Sequence, residues 1–208
     1  SMMFKPGEDA RIPVVAVAGT NGKTTTARLI SNILAKDGRC VGLTSTDGVY
    51  VKGQRIDKGD CSGPKSARNV LLHPDVDIAV FETARGGVLR EGLGFDRCNV
   101  AVITNIGTGD HLGLNYITTV EDLAVVKRVI VENVTKSGYA VLNAADPHVA
   151  SMAANCPGKV IYFARDSFNP LIATHRAQGK RVVYAEGNFI VQAEGKTEHR
   201  IPLASIPI

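Results

Sequence analysis

The sequence has no tryptophan, and its 208 residues include only six phenylalanines and five tyrosines. So sparse an aromatic set leaves little for a surface that stacks nucleobases. The charge excess is small, 24 Lys and Arg against 20 Asp and Glu, for a net charge of +4. It suits an anionic ligand such as a nucleotide or a polycarboxylate and falls short of a nucleic-acid binder. No run of about 18 apolar residues occurs, which excludes a membrane-spanning helix. The four cysteines, Cys40, Cys61, Cys98 and Cys156, form no CxxC pair. They suggest neither a zinc site nor a disulfide framework, and a reducing cytoplasm fits. The N-terminus lacks the apolar stretch of a secretory signal. Ser1-Met2 ahead of Met3 reads as an expression scar, and residues 1–10 as a lead-in to one domain over 11–208.

What is present is an alternation of short apolar runs with helical spacings. Ile12 to Ala18, Cys40 to Leu43, Asp77 to Glu82, Asn99 to Thr104, Tyr139 to Leu142 and Val160 to Phe163 read as strands. Thr24 to Lys36, Ser66 to Leu72, Val120 to Val134 and Asp146 to Ala154 read as helices, and Lys52-Gly53-Gln54 as a hairpin turn within Val49 to Ile56. Buried strands separated by helices predict a three-layer α/β domain with a mostly parallel sheet. The tail differs. Arg181 to Ala185, Phe189 to Ala193 and Thr197 to Ile201 are short strands with Gly-containing turns, expected as a small antiparallel β appendage. The apolar end from Ile201 to Ile208 forms no complete element, so a further domain is expected beyond it.

Gly19-Thr20-Asn21-Gly22-Lys23-Thr24-Thr25 lies between the first strand and the first helix. Backbone N–H groups of such a loop face phosphate oxygens, and the helix N-terminus adds its dipole. Lys23 would reach the β/γ-phosphates of ATP, and the Thr24 hydroxyl would sit on Mg²⁺. The usual spacing wants a glycine where Val17 stands, so this is a variant P-loop that begins at Gly19. Glu82 ends an apolar strand, and strand carboxyl ends face the ligand crevice of open α/β sheets. It therefore lies where a phosphate-bridging metal needs an oxygen, although a solvated strand-end carboxylate would look the same. Arg85-Gly86-Gly87 follows. The glycines would let backbone approach a ligand, and Arg85, with Arg90 beyond it, would grip a carboxylate or phosphate, unless both are surface ion-pair residues. In the Val120–Val134 helix, Lys127 falls inside the apolar stripe of Leu123, Val126, Ile130 and Val131. A lysine there either snorkels to water or is paired or chemically altered.

GTNGKTT resembles the ATP loop of the Mur ligase superfamily, which includes the peptidoglycan precursor ligases and folylpolyglutamate synthetase. Phe81-Glu82-Thr83-Ala84-Arg85-Gly86-Gly87-Val88-Leu89-Arg90, preceded by Asp60-Cys61-Ser62-Gly63-Pro64, resembles more narrowly the Mur-ligase-like part of the cyanophycin synthetases. The resemblance runs from about Arg11 to the end and implies a P-loop fold like the Mur ligase central domain. It implies an ATP-dependent ligase that joins arginine to the side-chain carboxylate of a poly-aspartate (cyanophycin) primer. The carboxylate attacks the γ-phosphate to give an acyl phosphate and ADP, and the arginine α-amine then displaces phosphate from the acyl phosphate. It also implies that Glu82 binds Mg²⁺, that His111 in Asp110-His111-Leu112 helps hold a second Mg²⁺, with Asp110 orienting it, and that Lys127, sixteen residues on, serves the metal site, carbamylated or not. Without it, His111 reads as a structural or solvated loop residue. Further implications are an N-terminal ATP-grasp half and a C-terminal closing domain outside this chain, which leave the isolated segment inactive.

Asn143, at another strand end, matches the family's adenine-side segment and can donate to and accept from an adenine edge, though a helix-capping loop fits Asp146-Pro147 equally. A hydroxyl of Thr44-Ser45-Thr46 could touch Mg²⁺ or substrate, or form a polar turn. The basic stretch Lys52, Arg55, Lys58, Lys65 and Arg68 could face an Asp-rich acceptor or be plain solvated surface. Another Mur-type or folate amino-acid ligase, and a catalytically silent nucleotide-binding scaffold, remain as alternatives. Cytoplasmic placement is expected, with no nucleic-acid or membrane partner, and homo-oligomerisation of the full-length enzyme is left open.

Overall fold

A computed structural model describes residues 11–107 and 117–206. Its centre is β1 (Val14–Ala18), flanked by β5 (Ile78–Glu82) and β6 (Cys98–Ile103), each paired parallel to it. The sheet continues past β5 through β2 (Val41–Ser45) to the hairpin of β3 (Gly48–Val51) and β4 (Gln54–Lys58). Past β6 it continues through β7 (Val134–Asn143), β8 (Lys159–Ala164), β9 (Arg181–Glu186), β10 (Phe189–Glu194) and β11 (Thr197–Pro202). The eleven strands form one sheet, parallel from β2 to β9 and antiparallel at both margins. The expected C-terminal β appendage is thus joined edge-on: β9 extends the parallel sheet, and β10 and β11 fold back on it.

Alternation along β1 sorts its side chains into two layers. Val15 and Val17 face α1 (Lys23–Lys36), which lays Ala27, Ile30 and Leu34 on that side. Val14, Ala16 and Ala18 face the other side, where α4 (Val120–Glu132) contributes Leu123, Ile130 and Val131 to the larger core. Both faces are covered, which is why the central strands read as unbroken apolar runs. The start of α4 is fixed by a capping box, with Thr119 Oγ1 accepting from the Asp122 amide and the Asp122 carboxylate accepting from the Thr119 amide. In the β3–β4 turn, Lys52 and Gly53 both adopt positive φ (51° and 77°), the conformation that matches strand twist in a two-residue hairpin. Every residue of β4 is exposed, and β11 is exposed along most of its length.

Two helices depart from the sequence reading. Arg85-Gly86-Gly87 opens α3 (Arg85–Glu91), and the close approach at Gly87 is to the chain's own loop, because a Cβ there would lie 3.2 Å from Gly63 Cα. A sixth helix, α6 (Pro170–Ala177), has Asn169 as its cap. The remaining helices, α2 (Pro64–Leu71) and α5 (Pro147–Ser151), lie where expected, with a 3₁₀ turn completing the second. No helix among the described residues is long and apolar enough to cross a membrane.

Leu123 is fully buried in α4, whereas Val125 on the same helix is half exposed. Leu123→Ala should destabilise the fold by about 2–5 kcal/mol, and Val125→Ala by no more than about 0.5 kcal/mol. Urea denaturation followed by circular dichroism measures both.

Candidate functional site

Order reverses around β1: the chain leaves it for β2 on one side, returns to β5, and then crosses to β6. Ligands of open α/β sheets bind where strand order switches, beyond the carboxyl ends. The carboxyl ends of β1, β5, β6, β2 and β7 bring together Gly19, Glu82, Thr104, Ser45 and Asn143 in sequence-adjacent or terminal positions.

The loop from Gly19 to Thr25 enters α1 through Gly22, whose φ of 82° turns the backbone into the helix. No side chain caps this end, and its first turn holds no acidic residue. The amides of Lys23, Thr24 and Thr25 precede the first closed helical bond, Thr26 N to Gly22 O at 2.9 Å, and an uncapped N-terminus of this kind attracts anions. Lys23 arches back so that Nζ donates to Thr20 O at 2.9 Å.

The rest of the loop is pinned to β6. Asn105 Oδ1 accepts from the Asn21 amide at 2.9 Å, and its Nδ2 donates to Asn21 O at 3.0 Å. Thr104 Oγ1 donates to the same carbonyl at 2.7 Å, and the Thr20 hydroxyl accepts from the Gly107 amide at 2.9 Å. Gly19 has a φ of 146°, and a Cβ there would collide with Thr104 Oγ1. These supports were not apparent as site residues in the sequence, where Thr104-Asn105 is only a polar pair at a strand end.

Glu82 is 1% exposed. Its Oε2 accepts from Thr24 Oγ1 at 2.9 Å and from the Thr46 amide at 3.1 Å. Its Oε1 is buried with no hydrogen-bond partner among the described residues. A buried carboxylate with a bare oxygen is costly unless something positive sits against it. The Thr46 hydroxyl lies 3.3 Å from that of Thr24, so hydroxyl and carboxylate oxygens cluster at the loop. This donor set fits Mg²⁺, a hard cation that takes one or two carboxylates and completes its shell from phosphates and water.

Lys127 reaches the same loop from the opposite layer. It is 4% exposed, and Nζ donates to Gly19 O at 2.8 Å, so its head lies inside the protein rather than in water. Asn143 Nδ2 donates to Thr104 O at 2.9 Å, and Oδ1 accepts from Ala145 N at 2.9 Å. One Nδ2 hydrogen and one Oδ1 lone pair remain for a further partner. Asp146 caps α5 and also accepts from the Ile106 amide at 2.7 Å. Arg90 is exposed on α3. His111 and Asp110 lie outside the described residues, as does the side chain of Arg85.

A groove of about 1290 Å³ opens at the amino ends of β1, β6 and β7, near Pro13, Asn99 and Val134. Its size does not outweigh the donor chemistry of the opposite edge. Among the described residues no cluster of three or more His, Cys, Asp or Glu could hold a metal alone.

The sequence matches the Mur ligase middle domain over residues 17–205. It is 49% identical over 206 residues to the cyanophycin synthetase of Synechocystis sp. (strain ATCC 27184 / PCC 6803 / Kazusa), covering 99% of this chain and 23% of that protein. The chain thus spans about a quarter of the length of this curated relative. The fold is similar to a UDP-N-acetylmuramoyl-L-alanyl-D-glutamate–2,6-diaminopimelate ligase, with a TM-score of 0.67 and 20% identity over 92% of this chain and 39% of that one. It is also similar to E. coli FolC in complex with DHPP and ADP, with a TM-score of 0.60 and 18% identity over 95% of this chain and 50% of that one.

Gly19→Ala tests the loop geometry. The added methyl meets both an unfavourable φ and the Thr104 hydroxyl, so the variant should lose about 1–3 kcal/mol of stability. Its affinity for ADP should fall with the displaced loop, as titration calorimetry would show. Unchanged values for both would contradict the packing of Gly19 against β6.

Proposed function

We propose, because the chain belongs to the Mur ligase middle-domain family, that it is the ATP-binding part of an ATP-dependent amide ligase adding arginine to the side-chain carboxylates of a poly-aspartate backbone. The observation that carries the nucleotide site is Glu82: a buried carboxylate, fixed on one oxygen by the phosphate loop and left bare on the other. The likeness to a cyanophycin synthetase, 49% identity along nearly this whole chain, supports the choice of substrates.

In this reading the amides of residues 22–25 and Lys23 hold the β- and γ-phosphates of ATP. The protein supplies these donors already oriented, which favours charge developing on the phosphoryl group over charge at rest. Thr24 and Glu82 would hold Mg²⁺, with the Thr46 hydroxyl beside them. When bound, that ion withdraws charge from the transferring phosphoryl oxygens. Asn105 and Thr104 hold the loop in shape, because they bond to its backbone rather than to ligand. Lys127 serves the same site from below, as an ammonium bonded to the loop or as a carbamate that would turn it into an anionic oxygen donor. His111 takes the part implied by its family match, beside a second ion. Arg85 and Arg90 bind the acceptor carboxylate or phosphate, and Asn143 the adenine side. The arginine and primer partners, Mg²⁺ as the working ion and a cytoplasmic setting belong to this proposal.

The Lys23 ammonium is the only charged side chain of the Gly19–Thr25 loop, and charged hydrogen bonds contribute about 1.5–3 kcal/mol. Lys23→Ala should therefore weaken binding of ATP with Mg²⁺ to this chain by about tenfold or more, without lowering the melting temperature of the free protein. The substrate assignment needs a polypeptide that joins this chain to the remaining ligase domains. ADP release there should depend on arginine with a β-Asp-Arg primer and ignore folate or UDP-linked acceptors. Release driven by either of those instead would reassign the substrate within the same chemistry.

A further inference from the structure

The turn joining β2 to β3, Ser45-Thr46-Asp47-Gly48, holds a polar knot that the nucleotide contacts leave out. At its centre is the Asp47 carboxylate. One oxygen accepts from the hydroxyl of Ser45, a fully buried residue. The other accepts from Tyr50 Oη at 3.1 Å and from Arg28 Nη2. The Ser45 hydroxyl, with the tyrosine and the guanidinium, holds the Asp47 carboxyl below the usual carboxylate range.

Arg28 belongs to α1 and stands four residues after Thr24, so the two share one helix face, one turn apart. The helix is therefore tied to the turn at two successive rungs. On the first, Thr24 meets Thr46 and Glu82. On the second, Arg28 meets Asp47 and lies against Tyr50, with Nη2 3.3 Å from Tyr50 Oη and Cζ 5.8 Å from the ring centroid. Asp47 and Arg28 are 42% and 50% exposed. An ion pair that open adds at most about 1 kcal/mol to stability. Its geometry matters more: it braces the residue next to Thr46, whose amide is one of two donors on Glu82 Oε2. Carboxylate rotation about the last torsion is soft, so the direction of Oε1 depends on what holds Oε2.

We propose that Asp47 and Arg28 are a positioning pair that keeps the Thr46 amide on Glu82 Oε2, so that Oε1 stays directed to the divalent cation accompanying the nucleotide. This rests on the reading of Glu82 as a cation ligand. Losing the pair frees the turn and weakens cation binding, while the grip of the loop on phosphates is left intact.

Two measurements on the full 208-residue chain test this. In the ligand-free protein, amide hydrogen exchange at Thr46 should speed up roughly tenfold in Asp47→Ala and in Arg28→Gln. The Thr83 amide, bonded to Val17 O at 2.8 Å beside the same glutamate, should keep its rate. In Mg²⁺ titrations of binding to a fluorescent ATP analogue, the midpoint should rise roughly tenfold in both variants, the usual cost of removing a group that orients a metal ligand. Affinity for the analogue in EDTA should stay within about twofold of the parent. Arg28→Lys, which keeps the charge, should recover part of the shift.

Glu82→Gln separates the cation site from its positioning pair. If it leaves the Mg²⁺ midpoint in place, the cation-ligand reading fails and the proposal fails with it. If it shifts the midpoint while Asp47→Ala and Arg28→Gln do not, or if Thr46 keeps its protection in both, the positioning pair is overturned and the ligand reading stands. Should Asp47→Ala not fold, Arg28→Gln carries the test, because it alters a half-exposed side chain.

Discussion

The burial of the Glu82 carboxylate is the constraint around which this edge of the sheet is organised. A side chain that is almost always solvated sits in the core, at the end of a strand whose other residues are apolar. Such a placement persists only where neighbours share the charge. Thr24 comes from α1, the Thr46 amide from the β2–β3 turn, and both meet one oxygen. The parallel register of β1 and β5, with Val17 opposite Glu82, sets the carboxylate beside the Gly19–Thr25 loop. Lys127 is a second buried charge, brought from the far layer to the same loop. Two buried charged side chains thus meet the same loop, one from each layer of the fold.

Much of this was legible in the sequence, for identifiable reasons. β1, β5 and β6 were plain because a strand covered on both faces reads as a nearly continuous apolar run. α4 was plain because its stripe keeps a period near 3.6, and the lysine inside that stripe stood out as a conflict between pattern and chemistry. α3 was hidden by Gly86 and Gly87, which oppose helix formation by about 1 kcal/mol each. α6 had a readable start in Asn169-Pro170, since the asparagine caps the Leu171 amide and proline occupies the first turn. That signal is short and has no long amphipathic run behind it. The tail strands were placed correctly in sequence, but local pattern could not say that β9 would extend the parallel sheet.

The site divides the same way. Gly19 to Thr25 and Glu82 announce themselves, because a glycine-rich strand–helix loop is local and a charged residue ending an apolar strand is anomalous. The supports do not. Asn105 holds the Asn21 peptide across 84 residues of chain, and Thr46 meets Glu82 across 36. Those meetings follow from strand order, in which β6 and β5 flank β1 and β2 lies beyond β5. Nothing in the neighbourhood of Asn105 or Thr46 encodes that order.

The two margins of the sheet have a consequence for association. A sheet this wide ends in two strands whose outer N–H and C=O groups could recruit another strand. Here β4 offers Gln54, Arg55, Asp57 and Lys58, and β11 offers Glu198, His199 and Arg200. Arg200 is tied across to Glu186 and to Glu198, so the charge on that margin is fixed in place. Copies approaching strand to strand would have to strip water from these groups in register. Charged margins of this kind disfavour growth by strand addition along the hydrogen-bonding direction of the sheet.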